Sequence, residues 1–457
     1  MSDWLKIREK IIDRIKPSEG EEITLRSIGD QVIIEVNEIL DKSGIQGRAE
    51  LHGSVSHGTW IKGQMDLDVF IVLENYKERS QLRNVIQAIK DNLDWDFTTA
   101  YAEHPYLQTV IDGINIDLVP CFRVEKGEGI ISSTDRTPLH TEWLKGKIEE
   151  HGDEVRLLKQ FLKVVEIYGA EIKIGGFSGY LCELLILKYG SFMKVIEAAS
   201  EWGNQQVVKF NEETKKFDDP LIVYDPVDQN RNVAAALRSD SYQKFIKAAK
   251  GFKENPRRIF FVYDTSEVDV GELVEKIRST NMVFLVIEES NAEVPDVLWG
   301  QIWKSINAIE RKLCDKGFEV LQSSPWSNDK TRHVFSFQLT SLDLPEVYKH
   351  FGPSVNLTKN VEQFKAAYMN RSDVVEPPTV EEGRWYVVKK RETTNIKEIM
   401  EEMHIDGGRR IGVSQKLAIK ILQHHRVLVG EEIEPYLEDG FTRHLYNLLR
   451  GRPFWVD

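Results

Sequence analysis

The stretch LHGSVSHGTWIKGQMDLDVFIVL, residues 51–73, decides the fold of the first half of the chain. Its last five residues, 69–73, are all apolar and are followed by a polar pair, which predicts a buried strand. Alternate side chains of a strand share a face, so Asp66 and Asp68 are expected to point the same way. Two adjacent carboxylates repel each other and resist burial unless a divalent cation lies between them. The pair is therefore a candidate metal site, with an ordinary solvated strand end as the alternative.

A Gly-Ser turn precedes these carboxylates by one short polar loop. Gly53 allows the backbone to approach a ligand closely, and the hydroxyl of Ser54 with neighbouring amides can hold a phosphate. A phosphate-binding turn followed at once by a metal-binding carboxylate pair is the arrangement that transfer of a nucleotidyl group requires.

A third carboxylate, Asp117, alternates with apolar residues along a second predicted strand, residues 114–119. If that strand adjoins the first one, three carboxylates converge, and their pKa values rise unless cations neutralise them. Two Mg²⁺ ions roughly 4 Å apart would make this a two-metal phosphoryl-transfer site, in which one ion lowers the pKa of the attacking hydroxyl. The other would grip the triphosphate and stabilise the pyrophosphate leaving group. Asp117 would be the carboxylate nearest the attacking hydroxyl.

Length and composition describe an ordinary soluble protein. The 457 residues are too many for one core and favour about three domains, with 41% hydrophobic and 29% charged residues. The net charge of −13 argues against indiscriminate coating of nucleic acid, although it leaves room for a local basic groove.

The cysteines and the lengths of the apolar runs indicate the cellular compartment. Cys121, Cys182 and Cys314 are scattered and form no C-x-x-C motif, which fits a reducing compartment and offers neither a zinc site nor a disulfide framework. No apolar run reaches membrane-spanning length, and the first residues are amphipathic and charged rather than signal-like. We expect a cytoplasmic protein with no membrane association.

The first 120 residues predict a small mixed sheet with helices packed on it. Pro17 ends a first amphipathic helix, and Ser18 with Glu21 forms a capping box for a second. Further along, a helix is expected over 77–92 and strands over 96–102, 106–111 and 114–119.

Helices are expected to dominate residues 153–252. They run over 153–189, with a break at Gly175-Gly176, and over 233–252. Pro256 with the basic pair that follows marks a plausible domain boundary.

The second half begins as an α+β sheet domain. Strands are expected over 259–263, 283–287, 318–322 and 332–339, with helices over 270–279 and 297–314. Such a sheet could face RNA, but we expect its aromatic residues to be core residues: Phe260, Phe261, Phe335 and Phe337. A strand over 384–390 then leads into basic clusters, for which a solvated surface and RNA contact remain open alternatives.

Several of these residues together resemble a known family. Gly53-Ser54, Asp66-Leu67-Asp68 and Asp117 resemble the core of the polymerase-beta-like nucleotidyltransferases. Five further stretches resemble the archaeal (class I) CCA-adding enzymes, which are tRNA nucleotidyltransferases. They are YAEHPY at 101–106, DRTP at 135–138 with His140, EVRLLK at 154–159, GFSGYLCEL at 176–184, and DPVD at 225–228 with RNVA at 231–234. The core motif is shared by many nucleotidyltransferases, whereas the later set is specific.

The resemblance implies an α+β multidomain chain in four parts. These are a nucleotidyltransferase catalytic head of mixed sheet and helices (1–150), a helical neck that binds nucleotide (151–256), an α+β sheet body (257–360) and a mixed α/β tail that contacts tRNA (361–457). It also implies a homodimer that works on the tRNA acceptor arm and 3′ end. The activity would be stepwise addition of C, C and A from CTP and ATP without a nucleic-acid template, with two Mg²⁺ ions as cofactor.

The resemblance also suggests roles for individual residues. The catalytic metal ligands would be Asp66, Asp68 and Asp117. Nucleotide contacts would come from Gly53, Ser54, His57, His140, Lys159, Tyr168 and Arg231, with Thr137, Asp228 and His104 as further candidates near the site. His57 stands where this family usually has lysine or arginine, so a backbone amide contact is what would survive there.

Helical geometry bears on one pair of these contacts. A helix turns about 100° per residue, so Lys159 and Tyr168 would point to opposite sides of one straight helix. Both reach one nucleotide only if the helix bends or ends between them, or if their length makes up the difference. Arg231 has donors enough to pair with a base edge and a phosphate at once.

Other functions remain as alternatives. A poly(A) polymerase-like nucleotidyltransferase would share the head, and a catalytically inactive RNA-binding scaffold would share the rest. The intact carboxylate trio argues against the scaffold, and the absence of a G-x-x-x-x-G-K-[ST] motif argues against a P-loop kinase.

Overall fold

The computed structural model divides the chain into two compact units, residues 1–264 with 455–457 and residues 265–454. It describes residues 2–74, 78–101, 104–124, 129–210, 215–262, 267–289, 293–451, 453 and 455. The domain boundary expected at Pro256 stays a prediction. The four-part division into head, neck, body and tail stays a prediction.

The first unit contains the elements α1 to α9 and β1 to β7. The helices are α1 Ser2–Ile15, α2 Glu19–Lys42, α3 Gly53–Ser56, α4 Arg79–Asn92, α5 Arg136–Leu144, α6 Gly152–Val164, α7 Gly179–Tyr189, α8 Phe192–Ala199 and α9 Ser239–Glu254. The strands are β1 Gly47–His52, β2 Asp66–Leu73, β3 Thr98–Tyr101, β4 Pro105–Ile111, β5 Ile114–Phe122, β6 Gln206–Val208 and β7 Leu221–Val223. Single 3₁₀ turns lie at Ser133–Asp135, Glu149–His151 and Arg258–Phe261.

The head is a five-stranded mixed sheet in the order β1-β2-β5-β4-β3. The central pair β2 and β5 is parallel, and the other pairs are antiparallel. Leu67, Val69 and Ile71 on β2 alternate onto the face covered by α2 and α4, where they form the main core of the head. This leaves the other face of β2 to Asp66 and Asp68, as the alternation predicted.

The start of α2 follows the predicted capping box. The Ser18 side chain accepts a hydrogen bond from the Glu21 backbone N–H, and the Glu21 carboxylate accepts one from the Ser18 backbone N–H at 2.8 Å. The two residues thus satisfy backbone donors that the first helical turn leaves unpaired.

An aromatic cluster holds the helical half of this unit together. The centroid of the Phe161 ring on α6 lies 5.6–6.4 Å from those of five other phenylalanine rings, and every member is buried. Those rings belong to Phe192, Phe245, Phe252, Phe260 and Phe261. Edge-to-face and stacked contacts of this kind contribute beyond the apolar area that they bury.

This cluster overturns the strand predicted over 259–263. Residues Arg258–Phe261 form a 3₁₀ turn that delivers Phe260 and Phe261 into the aromatic cluster, and Tyr263 lies outside the described residues. The β propensity of the aromatic run is therefore outweighed by the packing of its rings. The prediction that Phe260 and Phe261 are core residues is confirmed, in the core of the first unit rather than in a second sheet domain.

The helix expected over 233–252 also begins later, at Ser239. The amide of Asn232 holds the preceding segment in a turn, because its Oδ1 accepts from the N–H groups of Val223 and Ala234. A side-chain carbonyl that serves two backbone donors competes with helix formation at this point.

The second unit contains α10 to α15 and β8 to β14. The helices are α10 Val270–Arg278, α11 Pro295–Lys316, α12 Thr358–Tyr368, α13 Ile396–Glu401, α14 Gln415–Gln423 and α15 Asp439–Leu449. The strands are β8 Asn281–Glu288, β9 Val320–Ser327, β10 Arg332–Leu339, β11 Val347–Ser354, β12 Val374–Glu381, β13 Arg384–Lys390 and β14 His425–Val429. Single 3₁₀ segments lie at Glu402–Ile405, Arg409–Ile411 and Gly430–Tyr436.

Two antiparallel sheets organise the second unit. One has the order β14-β8-β10-β9, and the other has the order β11-β13-β12. Phe335 and Phe337 on β10 are fully buried in the core beneath the first sheet, as predicted. Within the described part of the chain, no helix is long and apolar enough to cross a membrane.

Candidate active site

Two of the predicted carboxylates lie side by side at the centre of the head sheet. In the parallel pairing of β2 with β5, Asp68 is the register partner of Asp117 and Asp66 is the partner of Asn115. The strand that carries Asp117 therefore adjoins the strand that carries Asp66 and Asp68, which the sequence alone left open. Because partners in a ladder project to the same face, the carboxylates converge on the face opposite the main core.

Burial makes this cluster electrostatically costly. It raises the pKa of Asp68 to about 7, with the neighbouring charges of Asp117 and Asp66 as further causes. The pKa of Asp117 is also raised, by burial first and then by Asp66, against a hydrogen bond from Gln108 that lowers it. A site that gathers negative charge away from water in this way is suited to a divalent cation.

Two amide side chains hold the outer carboxylates. Gln108 donates to Asp117 Oδ1 at 2.9 Å, and Asn115 donates to Asp66 Oδ1 at 2.8 Å. With the side chains as placed, no group of three His, Cys, Asp or Glu residues among those described is arranged to hold a metal ion. Binding of an ion by all three carboxylates therefore requires side-chain rotation, for which the exposed Asp66 has room.

Gly53 is required where it stands. Its φ is +68°, and an added Cβ would lie 2.0 Å from Asp68 Oδ2. Only glycine combines that backbone conformation with so close an approach to the carboxylate. The Gly-Ser turn predicted to hold phosphate thus lies directly against the carboxylate cluster, at the start of α3.

The loop after Ser54 is held by its own backbone and by the helical half of the unit. The Ser54 carbonyl accepts from Thr59 N–H at 2.9 Å. Arg156 on α6 donates to the carbonyls of Gly58 and Trp60 at 2.7 and 2.8 Å. The segment proposed to face the triphosphate is therefore a fixed turn.

His57 is occupied by protein partners. Its Nδ1 lies 3.1 Å from Glu183 Oε2, and its Nε2 lies 3.1 Å from Thr141 Oγ1. Since a carboxylate can only accept, Nδ1 carries the proton. With both ring nitrogens engaged, the imidazole links the loop to Glu183 on α7 and to Thr141 on α5.

Lys159 and Tyr168 come together because a helix ends between them. Helix α6 ends at Val164, and Tyr168 then bridges Phe177 as an extended residue. Both side chains reach Gly179 at the start of α7, where an added Cβ would lie 3.3 Å from Tyr168 Oη and 3.6 Å from Lys159 Nζ. The two side chains can therefore lie close together, because the helix ends between Lys159 and Tyr168, as helical geometry required.

A buried carboxylate that the sequence analysis did not single out organises Lys159. Glu183 on α7 is 2% exposed and accepts a 2.6 Å hydrogen bond from Thr59 Oγ1. Lys159 Nζ donates to that same hydroxyl at 3.1 Å and lies 4.0 Å from the Glu183 carboxylate. The only sequence signal was a charged residue inside the apolar run 181–186.

Asp225 is a second buried carboxylate that the sequence analysis did not single out. It is fully buried and accepts from His140 Nε2 at 2.9 Å and from Arg231 Nη1 at 2.7 Å. Burial would raise its pKa, but the hydrogen bond and charge of His140, with help from Arg231, produce a lowered value. Burial lowers the pKa of His140, whose ring stacks on Tyr180 with centroids 3.9 Å apart. One carboxylate thus links both predicted nucleotide contacts.

The remaining candidates lie at varying distances from this centre. Asp228 accepts from Arg136 Nε at 2.9 Å, and Thr137 is the next residue on α5. His104 bonds Thr134 Oγ1 at 2.8 Å and precedes by four residues the Gln108 that holds Asp117. Arg136 thus links Asp228 to α5, whereas His104 makes no described hydrogen bond to the carboxylates.

A mixed sheet that presents paired carboxylates beneath a Gly-Ser turn defines this protein as a nucleotidyltransferase. The family models agree along the chain. Residues 33–140 match the nucleotidyltransferase domain, residues 153–262 match the second domain of tRNA nucleotidyltransferase, and residues 278–430 match the C-terminal domain of the CCA-adding enzyme.

Curated proteins give the same result at the level of the whole chain. A CCA-adding enzyme of Saccharolobus shibatae is 37% identical over 86% of this chain and 90% of its own. One of Pyrobaculum islandicum is 36% identical over 88% and 93%, and one of Sulfolobus acidocaldarius is 33% identical over 87% and 90%. The chain belongs to the family of CCA-adding enzymes. The family and α+β fold class expected from the sequence are thereby confirmed.

Proposed function

We propose that this enzyme adds C, C and A in turn to the 3′ end of tRNA, drawing on CTP and ATP and releasing pyrophosphate at each step. The observation that carries the proposal is the register of Asp68 beside Asp117 in a chain whose nearly full length matches CCA-adding enzymes. The tRNA acceptor arm is the proposed primer, and no nucleic-acid template takes part.

The carboxylates of Asp66, Asp68 and Asp117 are the groups that would hold metal, and we propose two Mg²⁺ ions. When bound, such ions activate the terminal hydroxyl of the primer and neutralise the departing pyrophosphate. The raised pKa values of Asp68 and Asp117 support this assignment, because a cation removes the cost of their burial.

The protein groups around the carboxylates would position the nucleotide. The turn at Gly53 and Ser54 would offer backbone amides and a hydroxyl to the triphosphate. The buried Lys159 and the half-buried Tyr168 would contribute from the helical half of the unit. His140 on α5 and Arg231, which lies between β7 and α9, would contact the base and the ribose. The Arg231 side chain is about one-third exposed. Thr137, Asp228 and His104 are further candidates. We also propose that the enzyme is cytoplasmic and that it works as a homodimer.

The test is extension of a tRNA that lacks its 3′ CCA, with Mg²⁺ and with CTP alone, ATP alone, or both. Two additions from CTP, and a third only when ATP joins, are the expected result. A long A tail would indicate a poly(A) polymerase instead. A protein that binds tRNA but adds nothing would support the inactive scaffold.

A further inference from the structure

Glu183 is a deeply buried carboxylate near the proposed nucleotide site, and it lies outside the cluster of Asp66, Asp68 and Asp117. It is 2% exposed and lies on α7, whereas the loop that it contacts follows β1 in the head. A carboxylate buried to this extent is strongly destabilising unless charged or hydrogen-bonding partners compensate for its desolvation.

Two hydrogen-bond donors and one cation, from two other elements, compensate for it. Thr59 Oγ1 donates at 2.6 Å and His57 Nδ1 at 3.1 Å, both from the loop after the Gly-Ser turn. Lys159 Nζ, from α6, lies 4.0 Å away and donates to Thr59 Oγ1 at 3.1 Å. Burial alone would raise the pKa of Glu183, but the hydrogen bond from His57 and the charge of Lys159 outweigh it, so that the pKa is lowered and the group is an anion.

The Thr59 hydroxyl joins Glu183 and Lys159 in one hydrogen-bonded chain. A hydroxyl has one proton, and here it is given to Glu183 while the oxygen accepts from Lys159. Lys159 also donates to the Thr59 carbonyl at 3.2 Å. Loss of the anion would weaken the acceptor that fixes the directions of the Thr59 hydroxyl and the His57 imidazole. It would also remove the negative charge that lies 4.0 Å from Lys159 Nζ.

We propose that Glu183 is a positioning residue for the incoming nucleotide, which sets the turn at residues 53–59 and the ammonium group of Lys159 in the geometry that receives a triphosphate. It does not touch the substrate and acts through His57, Thr59 and Lys159. The inference rests on the proposed function only in taking the triphosphate to bind at this turn.

The test measures nucleotide binding rather than turnover. The dissociation constants of CTP and of ATP are determined with Mg²⁺ and without tRNA, for the wild type and for Glu183→Gln. The amide keeps the shape but removes the charge, so we expect both constants to rise about tenfold or more, as for loss of a charge-assisted hydrogen bond. In primer extension, KM should rise by the same factor while kcat changes much less. Glu183→Asp, which keeps the charge, should recover part of the affinity.

Glu154→Gln is the matched control. Glu154 lies on α6 with its side chain 20% exposed, and its carboxylate accepts hydrogen bonds from Arg8 and from the Phe192 backbone N–H at 2.8 Å each. Neither of these partners belongs to the loop at residues 53–59, so the variant should bind both nucleotides like the wild type. Should Glu183→Gln fail to fold, Thr59→Val removes the shared hydroxyl and carries the same expectation.

Two results would overturn the proposal. One is a folded Glu183→Gln protein whose dissociation constants stay within twofold of the wild type. The other is an equal loss of affinity in Glu154→Gln, which would make the effect one of general stability. Failure of the wild type to add C, C and A would contradict the proposed function alone, because the binding measurement needs no primer.

Discussion

Asp68 on β2 and Asp117 on β5 are direct partners in the parallel ladder at the centre of the head sheet. Their closeness, together with burial, raises the pKa of Asp68 to about 7. A carboxyl whose pKa is raised in the folded state binds its proton more tightly there than in the unfolded chain. Its stabilising contribution is therefore present at low pH and lost as the pH rises from about 4 through about 7.

This predicts a pH dependence that a metal ion reverses. In a chelating buffer, the midpoint temperature of the first unfolding transition should decrease as the pH is raised from about 5 to about 8. Mg²⁺ should raise the midpoint more at the higher pH, because it replaces the lost proton. In Asp68→Asn most of the fall should vanish. An unchanged pH dependence in that variant would mean that Asp68 is not the titrating group.

The contact between Gly53 and Asp68 predicts a local and specific loss of activity. In Gly53→Ala the new Cβ would lie 2.0 Å from Asp68 Oδ2, so the carboxylate must move. We expect kcat for CTP addition to fall at least about tenfold, as when a catalytic group is displaced by about 1 Å.

Gly58→Ala separates this clash from backbone strain. Gly58 has a φ of +65°, close to that of Gly53, but a Cβ there would meet nothing within 4 Å. Its variant should keep most of the activity. Equal losses in the two variants would assign the effect to strain in the turn and not to Asp68.

Arg231 and its partner Asp225 predict a change in nucleotide choice. Arg231→Ala should blur the discrimination between CTP and ATP at each step, measured as the ratio of their kcat/KM values. Asp225→Asn should do the same more weakly, since the 2.7 Å contact that aims Arg231 would lose its charge. Arg238→Ala, which removes an arginine of similar exposure paired with Asp240, is the control. Unchanged preference in Arg231→Ala would remove its role in reading the base.

The 3₁₀ turn at Arg258–Phe261 predicts a large effect on stability. Phe260 is fully buried against Phe161 and Phe252, so Phe260→Ala should lower the free energy of unfolding by about 3–5 kcal/mol. Phe351→Ala, at a position 51% exposed, should change it little. Comparable effects in chemical denaturation would contradict this placement of Phe260.

The catalytic half of the head could be predicted because its signals are local. Asp66 and Asp68 flank Leu67 directly before the apolar run 69–73, and the capping box at Ser18 lies within four residues. The register that joins Asp68 to Asp117 then follows once two such strands are adjacent. Each of these features depends on neighbours along the chain or on a single pairing of strands.

The features that were missed depend on contacts across long separations. Glu183 is hydrogen-bonded to Thr59, 124 residues away in sequence, and Asp225 is hydrogen-bonded to His140, 85 residues away. The strand expected at 259–263 was wrong for the same reason, because the aromatic cluster that recruits Phe260 is assembled from distant helices. Propensity describes the local chain, and these outcomes were decided by tertiary packing.

The most direct test of the central claim compares the wild type with Asp117→Ala on a tRNA that lacks its 3′ CCA. The 3′ ends of the products are sequenced, and binding of the same tRNA is measured in parallel. The account predicts C, C and A on the wild-type product, no addition by the variant, and similar tRNA affinity for both. Addition of CCA by Asp117→Ala would contradict the assignment of catalysis to the paired carboxylates of β2 and β5.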